Sequence, residues 1–279
     1  MATTSRHDAW AAGDSYDAYM GRWSRPIARR FLDWLEIPKG REWYEVGCGT
    51  GALTDAILRQ CNPASVIAVD PSEGFVRKAR QNIDDARVDF RLGDAGGLAS
   101  YPSASRDVVV AALVLNFIPD RVGALREMKR IARTGGTVGF YVWDYPGGGI
   151  EFMRAFWMAA VALDPAARDL TEDRRFPFCT KEGLSELARE AGLDAAEIIA
   201  IESPSVFQNF EDYWRPFTLG AGPATGYCTS LPPDARKRLR GLLCESLPRQ
   251  EDGSIVLNTR AWAMKAHLAG TELGSGRSA

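Results

Sequence analysis

The sequence predicts an α/β fold in which a doubly wound sheet of parallel strands carries helices on both faces. Three observations support this. From residue 43 to 143, short apolar runs rich in Val and Ile alternate with segments whose apolar residues recur at helical spacing. A glycine-rich turn, Gly-Cys-Gly-Thr-Gly at 47–51, stands directly behind the first such run, where a strand of a parallel sheet would pass into its crossover helix. The chain has 279 residues, 46% hydrophobic and 25% charged, enough to bury a large core without metals or disulfides.

Taken in order, residues 24–37 (SRPIARRFLDWLEI) set Ile27, Phe31, Leu32 and Leu35 at helical spacing, with a serine and an early proline as start signals. The alternation then runs strand 43–46, helix 52–60, strand 66–69, helix 73–82 and strand 88–92. A long apolar run at 107–115 suits a central buried strand, followed by a helix at 122–133 and a strand at 136–143 after a Gly-Gly turn. Beyond 145 the rhythm changes. A helix at 150–163 sits in what reads as an insertion, Thr180 caps a helix that Gly192 ends, 195–201 is a strand, 233–247 a helix and 254–267 a final strand. Residues 270–279 read as a disordered tail.

The charge balance narrows the partners. A net charge of −2 offers no broad positive face to a phosphate backbone, so nucleic acid is not expected. No run reaches the ~20 apolar residues of a membrane span, and the N-terminus lacks the apolar core of a signal peptide. Five scattered cysteines without a Cys-x-x-Cys pair argue against a disulfide framework or a zinc site. The expectation is a cytoplasmic protein, monomer or homodimer, acting on a small molecule, without a metal.

The glycine turn can be read in two ways. As Gly-x-Gly-x-x-Ala (Gly47, Gly49, Ala52) it is a permitted dinucleotide fingerprint. As Glu-x-Gly-x-Gly-x-Gly from Glu45 to Gly51 it places a carboxylate beside the loop, where it would repel a pyrophosphate and attract a cation. S-adenosylmethionine carries an ammonium and a sulfonium and no phosphate, so it fits the second reading. Asp70, at the end of the second strand, could accept from ribose hydroxyls in either cofactor. Asp94, at the end of the third, could take the amino group of adenine, with the Ala95 N–H serving a ring nitrogen. Alone, Glu45 or Asp94 would be no more than a helix-capping acid.

With these residues the sequence resembles the class I S-adenosylmethionine-dependent methyltransferases, in the small-molecule branch that includes the ubiquinone/menaquinone-biosynthesis (type 11) enzymes. The likeness extends to DVVVAALVLNFIPD at 107–120, ALREMKRIARTGGTV at 124–138 and the leader YDAYMGRWSRPIARRFLDWL at 16–35, and covers about 16–142. One departure is Thr134-Gly135-Gly136 where many relatives have Pro-Gly-Gly. The resemblance implies a Rossmann-like, seven-stranded sheet with two strands after the fifth and the last antiparallel. It also implies an N-terminal helical cap at 1–37, a main domain at 38–269, and insertions at about 145–180 and 203–232 over the active site.

The same resemblance implies site roles. Glu45, Gly47, Gly49 and Gly51 would hold the methionine portion, Asp70 the ribose, and Asp94 with Ala95 the adenine. Cys48, Pro71 and Leu113 complete the cofactor set, and Tyr16, Met20 and Trp23 would close over it. Methyl transfer by in-line displacement needs mainly alignment and desolvation. Tyr19, Asn116, Asp144 and Tyr145 are the residues expected to face the acceptor, Asp144 first among them. Neither His7 nor His267 is placed by motif as a base. The expected reaction is O-methylation of an apolar or aromatic metabolite. The alternatives are a non-methylating use of the same fold, as a cyclase, decarboxylase or regulatory binder, and, opposed by Glu45, a nicotinamide-dependent oxidoreductase.

Overall fold

The computed structural model describes residues 20–94, 101–219 and 222–269. Along the chain the elements are α1 (Arg22–Leu35), β1 (Glu42–Val46), α2 (Ala52–Gln60), β2 (Ser65–Asp70), α3 (Glu73–Asn82), β3 (Val88–Leu92), β4 (Arg106–Ala112), α4 (Arg121–Ile131) and β5 (Ala132–Trp143). There follow α5 (Glu151–Leu163), α6 (Glu172–Arg175), α7 (Lys181–Glu190), β6 (Glu197–Phe207), α8 (Phe210–Trp214), α9 (Pro223–Ser230), α10 (Pro233–Ser246) and β7 (Ile255–His267). The seven strands form one sheet in the order β3-β2-β1-β4-β5-β7-β6. The first five are parallel, and β7 runs antiparallel between β5 and β6. The doubly wound sheet with an antiparallel final strand is therefore as expected.

Strand alternation divides the core in two. Trp43, Val108, Val110 and Tyr141 face one layer, built on α1, α2 and α3 and extended by α5 and α10. Tyr44, Val46, Val109, Val138 and Phe140 face the other, covered by α4 and α7. Because both faces are buried, the central strands read as unbroken apolar runs. Among the described residues, no helix is long and apolar enough to cross a membrane.

Three boundaries differ from the sequence reading. β4 stops at Ala112 rather than 115, because Leu113 takes a left-handed conformation (φ 56°) and the chain then turns through a short 3-10 segment, Leu115–Phe117. β6 runs on to Phe207, paired with β7 along its whole length, so the insertion expected from 203 begins only after that strand. Pro204 hid this continuation, yet β6 is an edge strand, where proline is tolerated. Opposite it, Asn258 sends its N–H to Glu151 Oε2 (2.7 Å) rather than to β6, which turns the proline's missing donor toward the open edge.

The third difference concerns α1. Expected within an N-terminal cap at 1–37, this helix is packed as a layer on the sheet: Ile27, Ala28 and Phe31 are fully buried, and the Phe31 ring lies 4.9 Å from that of Tyr141 on β5. Asp33 accepts from Gln60 Nε2 on α2 (3.0 Å) and Arg22 pairs with Asp212 of α8 (2.7 Å). Residues 1–19, including Tyr16 and Tyr19, and the tail from 270 lie outside the described residues. Truncating Phe31 should leave a cavity between α1 and the sheet. Phe31→Ala is expected to lower stability by about 3–5 kcal/mol, read as a fall in denaturant midpoint at constant m-value.

Candidate active site

The parallel strands end side by side, and three acids, Glu45, Asp70 and Asp94, stand at or just beyond the ends of β1, β2 and β3. The glycine loop is tied to β2 by backbone alone: the N–H groups of Gly47 and Cys48 both donate to Val69 O (2.8 and 2.9 Å). Asp70 completes the tie, accepting from Gly49 N at 2.9 Å and from Ser72 N at 2.8 Å. Each carboxylate oxygen keeps a further lone pair for a ligand hydroxyl. At Gly47 (φ 73°) a Cβ would stand 2.5 Å from Val114, and at Gly49 (φ 53°) it would meet nothing within 4 Å. The loop is thus closed on its strand side and open at its tip.

Glu45 sits beneath this loop, 1% exposed. Its Oε2 accepts from Thr54 Oγ1 of α2 at 2.6 Å, and its Oε1 has no partner. Burial pushes its pKa from the usual 4.5 up to about 8; the Thr54 hydroxyl opposes the rise and the Asp70 charge adds to it. The unfolded chain therefore releases this proton near 4.5 and the folded protein near 8. The group's contribution to stability is whole below about 4.5 and is lost as pH rises toward 8. An orphaned, buried carboxylate oxygen is what a cationic ligand group satisfies. S-adenosylmethionine presents such a group and no phosphate, so these residues fit it.

Cys48, also in the loop, is buried with its Sγ 3.8 Å from Gly49 O. Burial and the charges of Glu45 and Asp70 hold its thiol well above the usual value, so it is inert rather than nucleophilic. Pro71 is exposed behind Asp70. Asp94 is exposed beyond β3, with the adjacent Gly93 N–H bonded to Asp70 O (3.0 Å). Ala95 lies outside the described residues.

Beyond the end of β4 is a small, partly open cavity of about 30 Å³. Met20 and Leu113 border it on the loop side, Trp143 and Tyr145 from the end of β5, and Met153, Glu172 and Phe176 from the segment after it. Tyr145 and Phe176 pack ring against ring at 5.4 Å. Outside lies an open groove of about 640 Å³, which shares Tyr145, Met153 and Glu172 with the cavity as a common wall. The size suits a small organic ligand.

Three expected site residues are placed elsewhere. Asp144, 2% exposed, is turned to Arg260 of β7, accepting from its Nε at 2.6 Å and Nη2 at 2.5 Å, and from Gly147 N at 2.9 Å. It braces the turn after β5 and does not line the cavity. Trp23 is buried among Phe207 (4.7 Å) and Phe152 (5.7 Å), away from the loop. Asn116 is buried in the 3-10 turn with its Nδ2 unpartnered, and it too is not in the cavity wall. Most aromatics of the second half are core: Phe156 stacks on Phe217 at 4.4 Å and Tyr213 donates to Phe152 O at 2.8 Å.

Two charged residues of the cavity wall, Glu172 and Arg175, escaped the sequence reading. Glu172, 6% exposed, opens α6 and lines both cavity and groove. Trp157 Nε1 donates to its Oε2 at 2.6 Å. In the sequence, Thr-Glu-Asp at 171–173 is an ordinary helix start, and nothing separates Glu172 from Asp173 until α5 brings Trp157 over it.

Comparison with known proteins agrees with this geometry. Residues 44–140 match the family model described as a methyltransferase domain. The chain is 32% identical over 128 residues to nocamycin O-methyltransferase of Saccharothrix syringae, covering 44% of this chain and 45% of that protein. It is 27% identical over 175 residues to ubiquinone biosynthesis O-methyltransferase of Methylococcus capsulatus, covering 61% and 70%. Phosphoethanolamine N-methyltransferase 2 of Haemonchus contortus, solved with S-adenosyl-L-methionine, shares the fold at 16% identity and TM-score 0.54, over 92% of this chain and 56% of that one. The alignment thus spans less than half of the first curated relative. Over residues 44–140 this chain is similar to methyltransferases, and its fold is the one that the S-adenosylmethionine-bound neighbour shares.

Two outcomes follow from the buried acids. Were Glu45 to meet the ammonium of S-adenosylhomocysteine it would have to ionise, and binding at pH 7 should then release about one proton. Calorimetry in buffers of differing ionisation enthalpy reads this directly, and Glu45→Gln should abolish it. Asp144→Asn should lower stability by about 1.5–3 kcal/mol while cofactor affinity stays unchanged, as measured by thermal melts and titration.

Proposed function

We propose that this chain transfers the methyl group of S-adenosylmethionine to a hydroxyl oxygen of a small apolar or aromatic metabolite. The observation that carries the reading is the placement of the cavity. It lies against Leu113 at the end of β4, next in sequence to the Val114 that packs on Gly47 of the glycine loop, and under a roof of Tyr145 and Phe176. The names of the two curated relatives, both O-methyltransferases, support it.

In this reading Glu45 meets the cofactor's ammonium, Asp70 its ribose hydroxyls, and Asp94 with the Ala95 backbone its adenine. The open tip at Gly49 admits the methionine portion, with Cys48 and Pro71 flanking it, and Met20 closes over the reacting end. When bound, the cofactor supplies a methyl group on a sulfonium. Leu113, Tyr145 and Phe176 then exclude water from the line between that methyl and the acceptor oxygen, which aligns the displacement and removes competing solvent. The wall is largely apolar, which fits an apolar or aromatic acceptor. The free cysteines fit a reducing, cytoplasmic setting.

The test is a panel of hydroxylated aromatic and aliphatic metabolites incubated with S-adenosylmethionine, scoring release of S-adenosylhomocysteine and the mass gain of one methylene on the acceptor. Asp70→Ala should weaken cofactor binding by about 10–100-fold, with turnover falling in step at low cofactor. If the protein binds the cofactor tightly yet releases no S-adenosylhomocysteine with any hydroxyl compound, the O-methyl reading is wrong.

A further inference from the structure

We propose that Glu172 is the proton acceptor of the transfer and that the acceptor molecule reaches it from the outer groove. This rests on the O-methyl reading above. Cavity and groove meet at a threshold formed by Tyr145, Met153 and Glu172. A molecule whose body lies in the groove can pass a hydroxyl across that threshold toward Leu113; Asp173 lines the groove alone, and the carboxylate that lines groove and cavity both is Glu172. The inner cavity, at about 30 Å³, holds little more than one small group, so the reacting group enters there and the rest stays outside. The acceptor is accordingly a molecule with an apolar body and a hydroxyl at one end.

The carboxylate is held for this task. Trp157 Nε1–H fixes Oε2 at 2.6 Å, and the N–H of Glu172 itself also favours the ionised form. Burial opposes these and raises its pKa from 4.5 to about 7, with Arg175 lowering it and Asp173 raising it. Tyr145 lines the same wall from the end of β5, Arg175 lines the cavity with it, and Arg154, Arg168 and Asp173 border the groove outside. A carboxylate of this kind is half ionised near neutral pH, the condition under which a base works best. In the step, the acceptor oxygen forms a bond to the methyl carbon as the carbon–sulfur bond breaks, its electron pair remaining on sulfur. The acceptor's O–H proton goes to Glu172, which later returns it to water through the groove.

The experiment compares wild type, Glu172→Gln and Trp157→Phe, each first shown to be folded by unchanged affinity for S-adenosylhomocysteine. In that complex, infrared difference spectra should show a protonated carboxyl that ionises as pH rises through about 7 in wild type. The signal should be absent in Glu172→Gln and displaced to higher pH in Trp157→Phe, which lacks the N–H donor. With the hydroxyl acceptor turned over most rapidly in the panel, Glu172→Gln should lower kcat by about 10²-fold or more and remove the acidic limb of the kcat profile. Trp157→Phe should move that limb upward. A Glu172→Gln protein with wild-type kcat across the pH range overturns the proposal, as does an infrared spectrum unaffected by the substitution. A wild-type protein inactive on every hydroxyl compound defeats the O-methyl reading and this role together, and that result is distinct from loss confined to the variant.

Discussion

The carboxylate of Asp70 bridges the glycine loop and the start of α3, and the geometry of the whole site depends on that bridge. One oxygen takes the Gly49 N–H, the other the Ser72 N–H. Because the Gly47 and Cys48 N–H groups are already spent on Val69 O, the loop has no remaining freedom to swing away from β2. The space above the strand ends is therefore preformed. Burial of Asp70 raises its pKa from 3.8, and these backbone donors oppose that rise.

A second consequence of the parallel sheet is that the site divides by chemistry. Toward β1, β2 and β3 the strand ends carry acids, Glu45, Asp70 and Asp94. Toward β4 and β5 they carry Leu113, Trp143 and Tyr145. A half bearing strand-end acids adjoins a half walled mainly by apolar side chains, with Glu172 and Arg175 among them, and the junction falls at β4. The strained residue there, Leu113 at φ 56° with its N–H held by Tyr141 O (2.9 Å), bends the chain where the two halves meet. Such strain persists only where the surrounding structure fixes it, here through the hydrogen bond to β5.

The first half of the molecule was legible because each of its elements is local. Strand runs, crossover helices, the glycine turn and the three strand-end acids all follow from spacing within about 100 residues of a regular repeat. The second half was less so, for reasons that are tertiary. Asp144 stood in the right place along β5, yet its direction was set by Arg260, 116 residues later. Glu172 reads as a helix start until α5 brings Trp157 against it. β6 looked short because Pro204 interrupts its pattern, and only the pairing with β7 shows the strand continuing. Trp23 was assigned by its leader motif, whereas its burial was decided by Phe207 and Phe152 from two distant elements.

Pro204 also bears on how the molecule keeps to itself. Apart from the Glu202 and Val206 carbonyls, which accept from Arg30 and Arg22 of α1, an edge strand of eleven residues presents a row of backbone groups to which a strand from another chain could add, the usual route to edge-to-edge aggregation. With its ring nitrogen turned outward, Pro204 removes one donor from the middle of that row, and Glu202 beside it places a charge on the same margin. The residue that obscured the strand in the sequence thus guards its edge against pairing with a neighbouring chain.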